Sequence, residues 1–530
     1  MSSERISFKK TGYFSSLICD YLEEKSELKA FYHHFPKIEN FENQIKEKQI
    51  SVQEQSRIVL VDSLKQQYKD IDASDLTHQN IDALKQENTF TITTGHQLNL
   101  FTGPLYFLYK IVSAINLSKE LNETYPSYNF VPVYWMATED HDFDEINYFN
   151  FKGKKVQWNR ESQGAAGELS LEGLEDIFKL YSKELGVSKN ADYLRDLFSR
   201  AYLNHTNLAD ATRYLANELF KDYGLVIIDA NDTNLKKQFA PFIEDELLHQ
   251  KSFKSVLETN KDLSKAYDIQ VNPREINLFY LKENLRERIL FEDDIFKVNN
   301  TNISWSKSEI LKHLREVPER FSPNVIMRPL YQEVILPNLC YIGGGGELAY
   351  WFQLKQFFNT VHVPFPILLL RNSALIKTKQ QSDKLKKLNI SNADIFLKRD
   401  AFINKKVREI SNINIDFSSQ KEHLEVQFKT LFKLAEQTDK SFLGAVKAQE
   451  VKQLKGIENL EKRLLKAQKK TLADQVSRIT ELQEQLFPGQ SLQERNTNFS
   501  EFYLEYGERL IPNLIKNLEP LKGEFLILNL

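Results

Sequence analysis

Cysteine is nearly absent from this chain: Cys19 and Cys340 are the only two among 530 residues, and they lie far apart. Two such thiols make no disulfide framework, and they suit a reducing compartment. Neither has a Cys or His neighbour at metal-ligand spacing, so no resident metal is expected. Long apolar runs are missing too. The longest, such as PILLL at 366–370, fit buried strands and fall short of a bilayer span, and the opening MSSERISFKK has no apolar signal-peptide region. A cytoplasmic location without membrane contact is the expectation. Nor does one sign of charge prevail. The formal net charge of -3 gives no whole-chain field for nucleic acid, and no such partner is expected.

What remains is an ordinary globular composition, 41% hydrophobic and 27% charged, in a chain too long for one core. Two or three structural units are expected. Five β-branched or apolar runs, at 89–94, 129–137, 224–229, 324–328 and 366–370, read as buried strands of a parallel sheet. Between the first two, Leu105, Leu108, Ile111, Val112, Ile115 and Leu117 recur at helical spacing. That predicts a helix over 103–121, a βαβ unit, and an α/β fold with a doubly wound core. The stretch 149–221 opens with a hairpin turning at Gly153 and continues as helices, while 236–320 starts helical and becomes strand-rich.

Beyond 374 the chain is rich in Lys, Gln, Glu and Leu, with very little Gly or Pro. Leu460, Leu464 and Ala467, then Val476, Ile479, Leu482 and Leu486, fall at three- and four-residue steps, with a slip between Ala467 and Val476. This predicts a long helix packed against one at 424–434, an antiparallel coiled coil ended by Pro488-Gly489. The expected layout is a core from 1–148, 222–235 and 321–373 and connecting insertions at 149–221 and 236–320. The coiled coil at 374–490 and a C-terminal segment at 491–530 complete it.

Four motifs follow the expected core strands. TTGHQLNLFTGP at 93–104 offers Gly95 and Gly103 for close backbone approach, a helix start at Pro104 for an anion, and His96 for a proton or a polar contact. An ordinary turn holding a hydrogen-bonded histidine reads equally well. TEDHDFDE at 138–145 crowds ionisable groups that suit an amine ligand, a general base or Mg²⁺, against the alternative of a solvated loop capping a helix. In SPNVIMRPLYQE at 322–333, Arg328 at the end of a buried strand calls for an anionic partner, a substrate or a structural carboxylate. In YIGGGGELAYW at 341–351, four glycines before an amphipathic helix can wrap an anion, Gly344 and Gly346 among them. The loop is neither a Walker A sequence, since Glu347 follows Gly346, nor a GxGxxG fingerprint. Arg371, with Asn372 and Ser373 beside it, adds a bidentate clamp after the last core strand.

Together, GHQLNLFTGPLYFLYK, VPVYWMATEDHDFDEIN, SPNVIMRPLYQEVILPNLCYIGGGGELAYW and LLLRNS resemble the bacillithiol synthase (BshC) family. SSLICDYLE near the start and LQERNTNF after the coiled coil extend the resemblance along the chain. It implies a Rossmann-like core akin to nucleotidylyltransferases, two insertions, and a coiled coil that joins two copies as a homodimer. It also implies the joining of L-cysteine to the amine of glucosaminyl-malate. Carried over, His96, Gln97 and the turn Thr102, Gly103, Pro104 line the pocket, and Glu139, Asp140, His141 and Asp142 face them. Arg328, Gly344, Gly346, Glu347 and Arg371 complete it, with Asn372 adjoining. Relatives often carry Gln in place of His96 and Pro in place of Gly345. Amide formation needs an activated carboxylate, so the core suggests ATP and a cysteinyl-adenylate, with Mg²⁺ if ATP is used. ATP or ADP could equally bind near the coiled coil. The alternatives are a nucleotidyl-transfer enzyme of another pathway and a coiled-coil scaffold with an inactive core.

Overall fold

The structure, a computed structural model, describes residues 3–530. The chain forms two compact units, one running to Ile376 and resuming at Gln493–Leu530, the other Lys377–Leu492.

The first unit is built on five parallel strands: β1 (Thr89–His96), β2 (Asn129–Met136), β3 (Val226–Asp229), β4 (Asn338–Gly343) and β5 (Ile367–Leu370). Their spatial order is β5-β4-β1-β2-β3. Every residue of β1, β4 and β5 is buried, as a parallel sheet covered on both faces requires. Helix α1 (Tyr106–Thr124) crosses from β1 to β2 and packs Ala114, Leu117 and Leu121 onto Phe90, Ile92 and Ile342. The strand order reverses between β1 and β4. In open α/β sheets that switch point leaves a crevice at the carboxyl ends of the strands.

Two expectations are corrected here. Residues 324–328 are not a core strand. Phe321–Pro323 pairs antiparallel with Leu278–Lys282 in a second sheet, and the chain then enters helix α2 (Met327–Ile335). The Asn324 Oδ1 accepts from the Ile326 and Met327 N–H groups and so opens the helix, and Pro329 sits in its first turn, where a missing N–H is tolerated. The fourth core strand is NLCYIG instead. Its Asn338 is fully buried yet satisfied, receiving Thr93 Oγ1 at 2.8 Å and donating to Glu333 at 2.6 Å. The second correction is the start of α1, at Tyr106 rather than 103. Phe101, Thr102 and Gly103 all have positive φ (47°, 67° and 60°), so the chain doubles back before it becomes helical.

The first insertion opens with the hairpin Tyr148–Phe151/Lys154–Gln157, turning at Lys152 and Gly153 in left-handed conformation, and continues as three helices. The second ends in the antiparallel sheet that contains Leu278–Lys282 and Leu285–Glu292. Ser3–Ser7 pairs antiparallel with Glu524–Asn529.

In the second unit, α3 (Ser418–Ala435) and α4 (Lys440–Thr471) form a hairpin whose turn is capped by the Asp439 carboxylate on Phe442 N–H. Phe428, Ala435 and Val446 make its seam. Helix α5 (Ala473–Leu486) follows a break at Leu472, where the apolar spacing slips. Leu465 is buried there, whereas Leu460, expected in the seam, is 56% exposed. Among the described residues no helix is long and apolar enough to cross a membrane.

Candidate active site

A cavity of about 1110 Å³ opens at the carboxyl ends of β1, β2 and β4, with the sheet of the second insertion across it. One side is cationic. Lys110 projects from the buried face of α1, donates to the Gly95 carbonyl at 2.7 Å and pairs with Glu347 at 2.6 Å. Burial lowers the Lys110 ammonium in spite of that partner. Glu347 also accepts from Gly344 N–H (2.8 Å) and from the Tyr341 hydroxyl (2.7 Å). Burial alone would raise its carboxyl, but Lys110 and these donors outweigh it and hold it below the usual carboxylate range.

Arg328, in the first turn of α2, reaches Tyr350 OH and Gln332 Oε1, both at 3.2 Å. Arg371 follows β5. Its Nη2 pairs with the buried Glu494 at 2.7 Å and its guanidinium lies 4.8 Å from the Tyr106 ring centroid. Its Nε is buried without a partner, near Gly344. His96 Nε2 is likewise buried and unpartnered. A Cβ on Gly346 would meet open space, and the first-turn amides of Gly345–Phe352 have no acceptor within their own helix.

The opposite side is acidic. Asp140 receives Gln97 Nε2 at 2.8 Å and the His141 amide at 2.9 Å. Burial would raise it, yet His141, Gln97 and Arg286 bring it down to about 2. Arg286, from the second insertion, donates to His141 Nδ1 at 2.6 Å and stacks 4.0 Å from the Phe279 ring centroid. A guanidinium thus already compensates the Asp140–His141–Asp142 cluster, whose ligand atoms lie within 4.8 Å of one another. Glu139 is tied down by Lys236, which is fully buried, and by Ser322 Oγ at 3.0 Å.

Of the residues singled out in the sequence, the structure brings twelve to this cavity: Gly95, His96, Gln97, Glu139, Asp140, His141, Asp142, Arg328, Gly344, Gly346, Glu347 and Arg371. Thr102, Gly103, Pro104 and Asn372 are not among its lining. Asn498 Nδ2 donates to the carbonyls of Phe101 (2.8 Å) and Gly103 (2.6 Å), and Leu105 N–H donates to Thr497 O. The chain's own C-terminal segment therefore occupies the turn where an anion was expected. Asn372 is spent on Ser113 and the Glu519 carbonyl. The sequence reading missed Lys110, Tyr106, Tyr341, Tyr350, Arg286 and Arg495, all of which line the cavity. Lys110 did carry a signal, as a lone charge within the apolar run LYFLYKIVSAI.

In class, this is a Rossmann-like α/β protein whose polar cavity sits where open parallel sheets bind small molecules. The chain belongs to the BshC family: residues 1–372 match the family model "Bacillithiol biosynthesis BshC, N-terminal Rossmann-like domain", and 374–530 match "Bacillithiol biosynthesis BshC, C-terminal coiled-coil domain". It is 62% identical over 530 residues to a protein of Flavobacterium johnsoniae named "Putative cysteine ligase BshC", covering 100% of both chains. Proteins of the same name from Christiangramia forsetii (59%, 100% of this chain and 99% of the other) and from a strain of Bacillus cereus (28%, 100% of both) are also similar.

Proposed function

We propose that this protein joins L-cysteine to the amine of glucosaminyl-malate, forming an amide. The observation that supports it is the division of one cavity into a cationic side and an acidic side, which suits a substrate carrying carboxylates at one end and an amine at the other. Arg328, Arg371 and the exposed Arg495 hold the malate carboxylates or a phosphate by charge-assisted hydrogen bonds. Asp140, a carboxylate near 2, is too weak a base to take a proton from an amine, so it anchors the ammonium electrostatically. Asp142, more exposed on the same loop, is positioned to take up the proton released as the amine attacks.

A nucleoside triphosphate supplies the carboxylate activation that amide formation needs. The unpartnered Arg371 Nε and His96 Nε2, with the open approach at Gly346, fit its phosphates. Mg²⁺ would enter with those phosphates. Two copies associate through α3 and α4, where Val426, Leu434, Val451 and Leu460 are exposed. The test incubates purified protein with glucosaminyl-malate, L-cysteine and ATP, omitting each in turn, and reads the product by mass. The reading requires amide only with all three present. Absence of amide from the complete mixture overturns it.

A further inference from the structure

Helix Phe41–Ser51 lies at the other end of the sheet from the cavity. Its Gln44 donates to the Phe365 carbonyl just ahead of β5 (3.0 Å), and its Lys48 donates to the Glu333 carbonyl (2.8 Å), ahead of β4. On a half-exposed flank of this helix, Glu47 faces two consecutive histidines from the preceding loop. His33 Nε2 is 2.7 Å from Glu47 Oε2 and His34 Nε2 is 3.0 Å from Oε1, with the ring centroids 4.0 Å apart. The three ligand atoms lie within 4.8 Å of one another.

Two neighbouring imidazoles presenting the same ring nitrogen to one carboxylate is a donor set, beyond what an ordinary surface ion pair needs. Around a tetrahedral ion with bonds near 2.1 Å, donor atoms stand roughly 3.4 Å apart, so the 2.7 and 3.0 Å contacts would open by about 0.7 and 0.4 Å.

We propose that His33, His34 and Glu47 bind one borderline transition-metal ion of the zinc(II) class, with a fourth position open to solvent. Imidazole donors select such ions over Mg²⁺ or Ca²⁺, which prefer all-oxygen sites. The ion replaces the two N–H···O contacts and staples the 31–37 loop to the helix. Its distance from the switch point makes the role structural rather than catalytic.

The experiment titrates the full chain with zinc chloride by calorimetry and with cobalt(II) by visible absorption, which reports tetrahedral coordination without any variant. One ion per chain is expected, together with intense tetrahedral cobalt bands and a raised melting temperature. The stoichiometry should fall to zero in His33→Ala/His34→Ala and the affinity should drop at least tenfold in Glu47→Gln, each checked for folding by circular dichroism. Unchanged binding in the double histidine variant would assign the ion to another cluster, such as Asp140–His141–Asp142, and overturn the proposal. So would the absence of binding at micromolar zinc in the unaltered chain.

Discussion

His96 sits beside Lys110 and Arg371, and burial together with those two cations drives its imidazole well below the usual range. The native ring is uncharged near neutrality, so a proton-transfer role there has no titration to draw on. His96→Gln is expected to keep substantial turnover, with the same rate–pH profile between about pH 6 and 8. Stability should respond instead. The unfolded chain takes up a proton on His96 below about pH 6.5 and the folded chain does not, so acidification costs about 1.4 kcal/mol per pH unit, a slope His96→Gln removes. Urea denaturation of both proteins at two pH values checks this. Asp140 behaves in the opposite range. Its folded value of about 2 lies below the ordinary carboxyl, so its contribution, on the order of 2 kcal/mol, is complete above about pH 4 and is lost as pH falls toward 2. Asp140→Asn should flatten that acid limb and cut turnover far more than it lowers the melting temperature at pH 7. Turnover that survives the substitution would return the 138–145 loop to a solvated cap.

At the scale of elements, β1, α1 and β2 were legible because their patterns are pure: an unbroken β-rich run, apolar residues at helical steps, then another run. Helix α2 was not, because VIM imitates a strand while the capping Asn324 and the first-turn Pro329 carry the helical signal. Strand β4 was hidden for the reverse reason. It begins on Asn338, a residue poor in strands, which is accommodated only because Thr91, Thr93 and Glu333 converge on it from elsewhere. The hairpin of α3 and α4 was legible in kind but not in register, since its seam runs through Phe428, Ala435 and Val446 while Val451 and Leu460 face outward. If those outward residues join two copies, Val451→Lys/Leu460→Lys should sediment as a monomer with its helix content unchanged. A dimer that persists places the interface elsewhere.

Across the whole molecule, the cavity draws on segments no local pattern links: Arg286 from one insertion, Arg371 after β5, and Glu494 and Arg495 from beyond the helical unit. That convergence is a property of the folded chain, which explains why the quoted motifs located most of the walls, Arg371 included, and missed Arg286 and Arg495. The entry to and exit from the helical unit lie side by side, Ile376 N–H donating to Gln493 Oε1 (2.9 Å) and Gln493 Nε2 to the Ile376 carbonyl (3.0 Å). Each doubling of a closed loop costs only about 0.6 kcal/mol, so replacing Lys377–Leu492 with a short Gly/Ser linker should leave the first unit folded. Its melting temperature and calorimetric ligand binding measure the outcome, and loss of cooperative unfolding would make the helical unit integral to it. The same geometry has a consequence for synthesis. Ser3–Ser7 leaves the ribosome well ahead of its antiparallel partner Glu524–Asn529, with the whole of both units between them. After Arg371 emerges, a chain growing at roughly 5–20 residues per second needs about 6–25 seconds to deliver Glu494. For that interval the nascent protein carries an uncompensated arginine at its unfinished cavity and a Ser3–Ser7 strand still waiting for Glu524–Asn529, which are the features a ribosome-associated chaperone would meet.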